Sequence, residues 1–182
     1  LARGEPLYTG RTPLTVTGMA APALLRPQSS GSPALLVCGD FMDRMRLFAL
    51  YSEGTAREIG ALKDSTGEEL ILPHCIHLPL ALDWNNDGNP DLLVGAESGR
   101  INLLEHAGKE RSGDPLYSQP RELSTAPGAL HAGGLPVPAA YDMTGNSLPD
   151  LVVGNSEGEL LLFLNRGEPG RPLFDRPVRI RS

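Results

Sequence analysis

Apolar positions along this chain fall in short blocks and not in helical stripes. Leu35-Leu36-Val37-Cys38, Leu92-Leu93-Val94 and Leu151-Val152-Val153 are continuous runs, closed by Gly39, Gly95 and Gly154. Apolar runs this short, bounded by turn residues, read as strands buried on both faces. A polar turn and a second apolar block follow each one: Arg46-Leu47-Phe48-Ala49-Leu50, Arg100-Ile101-Asn102-Leu103-Leu104 and Glu159-Leu160-Leu161-Leu162-Phe163-Leu164. The connections Ala96-Glu97-Ser98-Gly99 and Asn155-Ser156-Glu157-Gly158 end in glycine, as hairpin loops do. No stretch of twelve or more residues keeps a 3.6-residue period.

The blocks are an internal repeat. Pro33, Pro90 and Pro149 precede the three runs at steps of 57 and 59 residues (90 − 33 and 149 − 90). A Pro-Leu-aromatic signature recurs as Pro6-Leu7-Tyr8, Pro115-Leu116-Tyr117 and Pro172-Leu173-Phe174, and the copy due near 52–58 is eroded. Each repeat then holds about four strands, in the second copy near 78–83, 91–94, 100–104 and 117–123. A single four-stranded sheet cannot cover two apolar faces, whereas stacked sheets cover each other. The expected fold is all-β: a partial β-propeller of about three four-stranded antiparallel blades plus an extra outer strand at the N-terminus. As one repeat domain over 1–182, it divides into an outer strand of a preceding blade (1–17) and blades at 18–72, 73–126 and 127–182. Propellers usually have about four to eight blades, so self-association or neighbouring blades are expected to complete the structure.

Composition narrows the function classes. Hydrophobic residues are 40% and charged residues 21%, a globular balance. Gly 21 and Pro 17 make the chain turn-rich, which agrees with many short strands. The net charge of −6, with no basic cluster, argues against nucleic acid as a partner. No apolar run approaches the roughly eighteen residues of a membrane span, so no membrane insertion is expected. The first residue is Leu1 and no leader precedes it, as in a processed or trimmed product. Two cysteines, Cys38 and Cys75, are not a disulfide framework, and their spacing leaves open whether they pair.

The chemistry concentrates in Asp83-Trp84-Asn85-Asn86-Asp87-Gly88-Asn89-Pro90-Asp91. Oxygen side chains stand at positions 1, 3, 5 and 9 of this loop, with glycine at 6. Calcium takes about six to eight oxygen ligands in a flexible shell, and alternating carboxylates on a tight loop can supply them. Asp83, Asn85, Asp87 and Asp91 are the candidate side-chain ligands, with the Asn89 carbonyl at position 7. Asx-turns alone could also fill such a loop, but three clustered carboxylates with no Lys or Arg among them would repel one another. A second copy, Asp142-Met143-Thr144-Gly145-Asn146-Ser147-Leu148-Pro149-Asp150, offers Asp142, Thr144, Asn146, Asp150 and the Leu148 carbonyl. With two carboxylates instead of three it should bind more weakly. The corresponding stretch Arg26–Ala34 has no carboxylate and is expected to hold no ion.

The loop followed by Leu-Leu-Val-Gly resembles the FG-GAP/VCBS repeat of integrin-α-like β-propellers. The likeness covers the second and third copies well and the first weakly. It differs from an EF-hand, since no helix pair flanks the loop and Val94 stands at position 12. The resemblance implies Ca2+ at the corner between the first two strands of a blade. It also implies an extracellular or exported setting, and glycan or protein ligands held at a rim or between blades.

Other patterns have bland readings. Gly154-Asn155-Ser156-Glu157-Gly158 fits G-x-S-x-G but lies between two strands, where a nucleophile elbow needs a strand-to-helix turn. His74-Cys75-Ile76-His77 carries zinc-ligand types without a second pair. Trp84 is read as packing between neighbouring blades rather than as an exposed plate for a ligand. The first functional reading is a calcium-stabilised, non-catalytic binding or scaffold module. One alternative is the propeller scaffold of a polysaccharide-degrading enzyme such as a lyase, for which Tyr141, His131 and Arg121 are the nearest candidates. The other is an architectural unit that completes a propeller by oligomerisation.

Overall fold

The structure is a computed structural model and describes residues 6–17, 19–25, 33–39, 43–51, 54–126 and 128–181. Over these residues the chain is all-β and forms no helix. Three four-stranded antiparallel sheets organise it, none closed on itself. The first sheet orders Pro22–Leu25, Ala34–Gly39, Met45–Leu50 and Ala56–Ala61. The second orders Leu78–Leu82, Asp91–Gly95, Ile101–Leu104 and Arg121–Glu122. The third orders Val137–Tyr141, Asp150–Gly154, Leu160–Phe163 and Val178–Arg179.

Alternation along the strands builds two seams. Every residue of Asp91–Gly95 is buried. Leu92 and Val94, with Leu104, join Leu25, Val37, Met45 and Leu47 of the first sheet. Leu93, with Ile101 and Leu103, joins Leu151, Val153 and Phe163 of the third. Successive side chains point to opposite faces, so the middle sheet is apolar on both. This is why its strand reads as an unbroken Leu-Leu-Val run.

Two glycines set how closely the sheets approach. A Cβ on Gly39 would lie 2.0 Å from the carbonyl oxygen of His77, and one on Gly95 would lie 1.9 Å from that of Pro136. In each case the chain entering the next sheet crosses directly over the glycine. Strand pairing also revises the alignment of the first copy. Pro22, Pro79 and Pro138 pair with Cys38, Val94 and Val153 respectively. The first copy thus has one extra residue between its first two strands, and Leu35, not Ala34, takes the place of Asp91. A one-residue slip turns every side chain to the other face, so proline spacing alone cannot fix this register.

The Pro-Leu-aromatic signature is not the outermost strand. Pro115–Tyr117 forms a hairpin with His106–Lys109 and runs parallel to Lys63-Asp64, beyond the last strand of the first sheet. Tyr117 is wholly buried in the first seam. Phe174 makes the matching parallel bridge to Thr125, and its N–H donates to the Ser124 carbonyl at 2.9 Å. The aromatic therefore fastens each sheet to the tail of the one before. Lys63 to Glu110 (2.9 Å) and Gln119 to Asp64 (2.8 Å) tie the same rim of the first seam. The N-terminal stretch read as one outer strand is a short hairpin, Tyr8–Thr9 with Thr12–Pro13, and Tyr8 N–H reaches the Gly54 carbonyl. Residues 1–5 lie outside the described residues. Cys38 and Cys75 form no disulfide.

Candidate metal centre

The loop from Asp83 to Pro90 joins Leu78–Leu82 to Asp91–Gly95. Its turn is made by a left-handed backbone at positions 4 and 6, Asn86 (φ 59°) and Gly88 (φ 84°). The third-sheet loop keeps both conformations but moves the glycine: Gly145 (φ 73°) stands at position 4 and Ser147 (φ 64°) at position 6. Asparagine and glycine tolerate this region best: the second-sheet loop places one of each in it, and the third-sheet loop a glycine and a serine.

The carboxylates divide into two roles. Asp91 is completely buried. One of its oxygens accepts the Trp84 N–H at 2.9 Å and the other the His106 N–H at 2.6 Å. Asp150 repeats this, taking Met143 N–H at 2.9 Å and Asn165 N–H at 2.7 Å. The sequence offsets, 7 back and 15 forward, are identical in both copies. This carboxylate thus pins the loop entrance and the end of the third strand to the second strand. Burial pushes the Asp91 pKa up, against the pull of its two amide donors. Tyr117 and the edge-on His106 ring, 6.1 Å apart between centroids, lie close by. The Tyr117 hydroxyl is buried with no hydrogen bond among the described residues, and burial raises its pKa.

The remaining ligand candidates face outward. Asp83 accepts the N–H groups of Asp87 (3.0 Å) and Gly88 (2.9 Å), and the Asn85 side-chain oxygen shares the Asp87 N–H at 3.0 Å. Asp87 accepts the Asn89 N–H at 2.7 Å, and that bond holds its pKa below the usual carboxylate value. In the third-sheet loop, burial at Asp142 is outweighed by four backbone donors, from Ser147, Gly145, Asn146 and Thr144, so its pKa is also lowered. Asn146 accepts the Leu148 N–H at 2.9 Å and donates to the Asn165 carbonyl.

These donors suit calcium in kind. They are hard oxygens on one short loop, and a carboxylate oxygen that accepts an amide keeps further acceptor capacity. Among the described residues, however, no three His, Cys, Asp or Glu side chains converge as a ready-made metal cluster. Asp91 is turned into the sheet while Asp83, Asn85 and Asp87 line the exposed side. Most of the first-copy loop, residues 26–32, lies outside the described residues.

Two residues important to this region were not singled out for it by sequence reading. Asn165, almost fully buried, donates to the Pro149 carbonyl and accepts the N–H groups of Gly167 and Leu173. His106 stands at the same repeat position in the second copy. Their alignment 59 residues apart, after equivalent strands, was the available signal. Trp84 is buried between the second and third sheets, 6.3 Å from Phe174 between ring centroids. Gly154–Gly158 is a hairpin turn between two strands. Arg121 lies on the last strand of the second sheet, beside Glu105 at 3.6 Å, while Tyr141 ends the first strand of the third and is 75% exposed. His131 sits beside Gly99.

Set against protein-family models and curated proteins, the chain matches none.

Proposed function

We propose that this chain is a non-catalytic binding or scaffold module, part of a β-propeller of the FG-GAP/VCBS type, braced by calcium. The observation that carries the reading is the duplicated corner. Asp91 and Asp150 each fix their loop through two backbone amides at the same offsets along the chain. Asp83, Asn85 and Asp87 would hold the stronger ion, with Asp91 and the Asn89 carbonyl completing it. Asp142, Thr144, Asn146, Asp150 and the Leu148 carbonyl would hold the weaker one. The ion supplies charge compensation for the clustered carboxylates and stiffens the corner; it is assigned no chemical step. Modest carboxylate counts suit the millimolar calcium outside cells, so an exported module is part of the proposal. Glycan or protein ligands would bind along a rim formed by the exposed loops.

Thermal unfolding in millimolar calcium against chelator tests the ion. Calcium at about 100-fold over its Kd stabilises by about 2.7 kcal/mol. At this chain length that raises Tm by roughly 5–10 °C. Asp87→Asn should remove most of the shift, and Asp142→Asn only a small part. An identical Tm with calcium and with chelator would overturn the proposal.

A further inference from the structure

The third sheet leaves uncovered the face that, on the second sheet, is buried by a neighbour. Strand pairing matches the two sheets residue for residue. Leu78, Leu82, Trp84, Leu93 and Ile101 correspond to Val137, Tyr141, Met143, Val152 and Leu160. Trp84, Leu93 and Ile101 are buried by the third sheet. The five counterparts stay apolar, and four of them stand open: Val137 is 58% exposed, Tyr141 75%, Met143 53% and Leu160 51%, while Val152 is half-buried.

The glycines sharpen the point. Gly95 is required because the Pro136 carbonyl lies where its Cβ would be. Gly154 occupies the same position, its φ is not left-handed, and a Cβ there would meet only Leu160 Cδ2, at 3.7 Å. Among the described residues, neither backbone conformation nor any neighbour demands a glycine. An open groove of about 390 Å³ lies over it, with Leu135, Val137 and Leu160 on its apolar side and Asn155, Ser156 and Glu159 on its polar side. On the second sheet the equivalent place is filled by the segment entering the third, where the Ala132 N–H donates to the Gly99 carbonyl.

The other end of the molecule carries an unused copy of that filling segment. By strand pairing, Met19-Ala20-Ala21-Pro22 corresponds to Ile76-His77-Leu78-Pro79 and Leu135-Pro136-Val137-Pro138. His77 and Pro136, whose carbonyls cover Gly39 and Gly95, are buried, while Ala20 is exposed. Met19 is 53% exposed and Leu24, on the face that should meet a preceding sheet, 52%.

We infer that the outer face of the third sheet binds the Met19–Leu24 face of a second copy of this chain, head to tail, with the Ala20 carbonyl of that copy over Gly154. The contact repeats the two seams inside the chain. It is heterologous, so it builds either a ring or an open array. It does not depend on the ion: a failed calcium test would leave it standing, and its own failure would leave the ion reading intact.

Absolute mass in solution across a concentration series, in chelator, reads the association of the 182-residue chain. Leu24→Lys and Leu160→Lys each place a charge on one of the two exposed faces. Each should raise the apparent dissociation constant at least about tenfold. Mixing the two variants should restore a dimer, since one keeps the Gly154 face and the other the Met19 face. Gly154→Ala should weaken association while leaving the unfolding midpoint of the dilute monomer unchanged, which shows that the fold is intact. A chain that stays monomeric at every concentration overturns the inference. So does a Leu24→Lys variant that associates like the parent, because face-to-face pairing of two third sheets would then explain the contact.

Discussion

Replacing Asp91 separates a structural carboxylate from a metal ligand. The side chain is completely buried and holds two backbone N–H groups, at 2.9 and 2.6 Å. A hydrogen bond to a charged group contributes about 1.5–3 kcal/mol, and a buried donor left without a partner costs about 1–3 kcal/mol. Asp91→Ala loses both bonds and strands both donors, so a net loss of about 3–5 kcal/mol is expected. Asp91→Asn keeps one acceptor and turns an NH2 toward the other amide. It also removes a charge that burial disfavours, so its loss should be smaller, about 1–2 kcal/mol. At this chain length each kcal/mol lowers Tm by roughly 2–4 °C. The alanine variant should then melt about 10 °C below the parent and the asparagine variant about 3–6 °C below. The assay is thermal unfolding followed by circular dichroism, in chelator, so that no ion contributes. Asp150→Ala should behave similarly, since its two bonds have the same geometry. If Asp91→Ala melts within about 2 °C of the parent in chelator, the clamp contributes little and the reasoning fails.

Gly95→Ala forces a methyl onto the Pro136 carbonyl and should destabilise by about 1–3 kcal/mol or more, seen as an earlier midpoint in urea unfolding. An unchanged midpoint would mean that the second seam is looser than its geometry. Carboxyl titration by NMR in chelator should place Asp87 and Asp142 below the ordinary aspartate value and Asp91 above it. Asp87 and Asp142 contribute stability above their unfolded pKa and lose that contribution as pH falls through their folded values. Asp91 opposes them, its contribution being present below the unfolded pKa and lost as pH rises through the raised one. Asp87→Asn should therefore flatten the acid limb of the stability profile, and an unchanged limb would refute the assignment.

Much of the architecture was legible in the sequence because burial on both faces leaves a direct trace. Leu92-Leu93-Val94 cannot be amphipathic if each residue must meet a sheet on one side or the other, and the structure buries all three. The loops were legible because left-handed positions and short polar side chains occur together. The register of the first copy was not: the extra residue falls between Leu25 and Ala34, where proline spacing gives no signal about which face a side chain takes. The place of Tyr117 was also hidden. Pro-Leu-Tyr looks like any strand end, and only the third dimension shows it lying parallel to Lys63-Asp64, just beyond the last strand of the first sheet.

The acidic loop shows why residue type is weaker evidence than residue placement. Read as a string, Asp83, Asp87 and Asp91 are three equivalent carboxylates. In the fold, Asp91 has its oxygens on backbone amides, while Asp83 and Asp87 satisfy the amides of their own turn. A loop of this kind can therefore hold its shape without metal. Calcium, if it binds, acts on a corner already formed, because the amide clamp orders the loop and clustered negative charge is the cost that the ion offsets. Stability in chelator should then depend on Asp91 far more than on Asp87, and the calcium-induced gain on Asp87 at least as much as on Asp91. A reversed order would mean that the ion, and not the clamp, organises the corner.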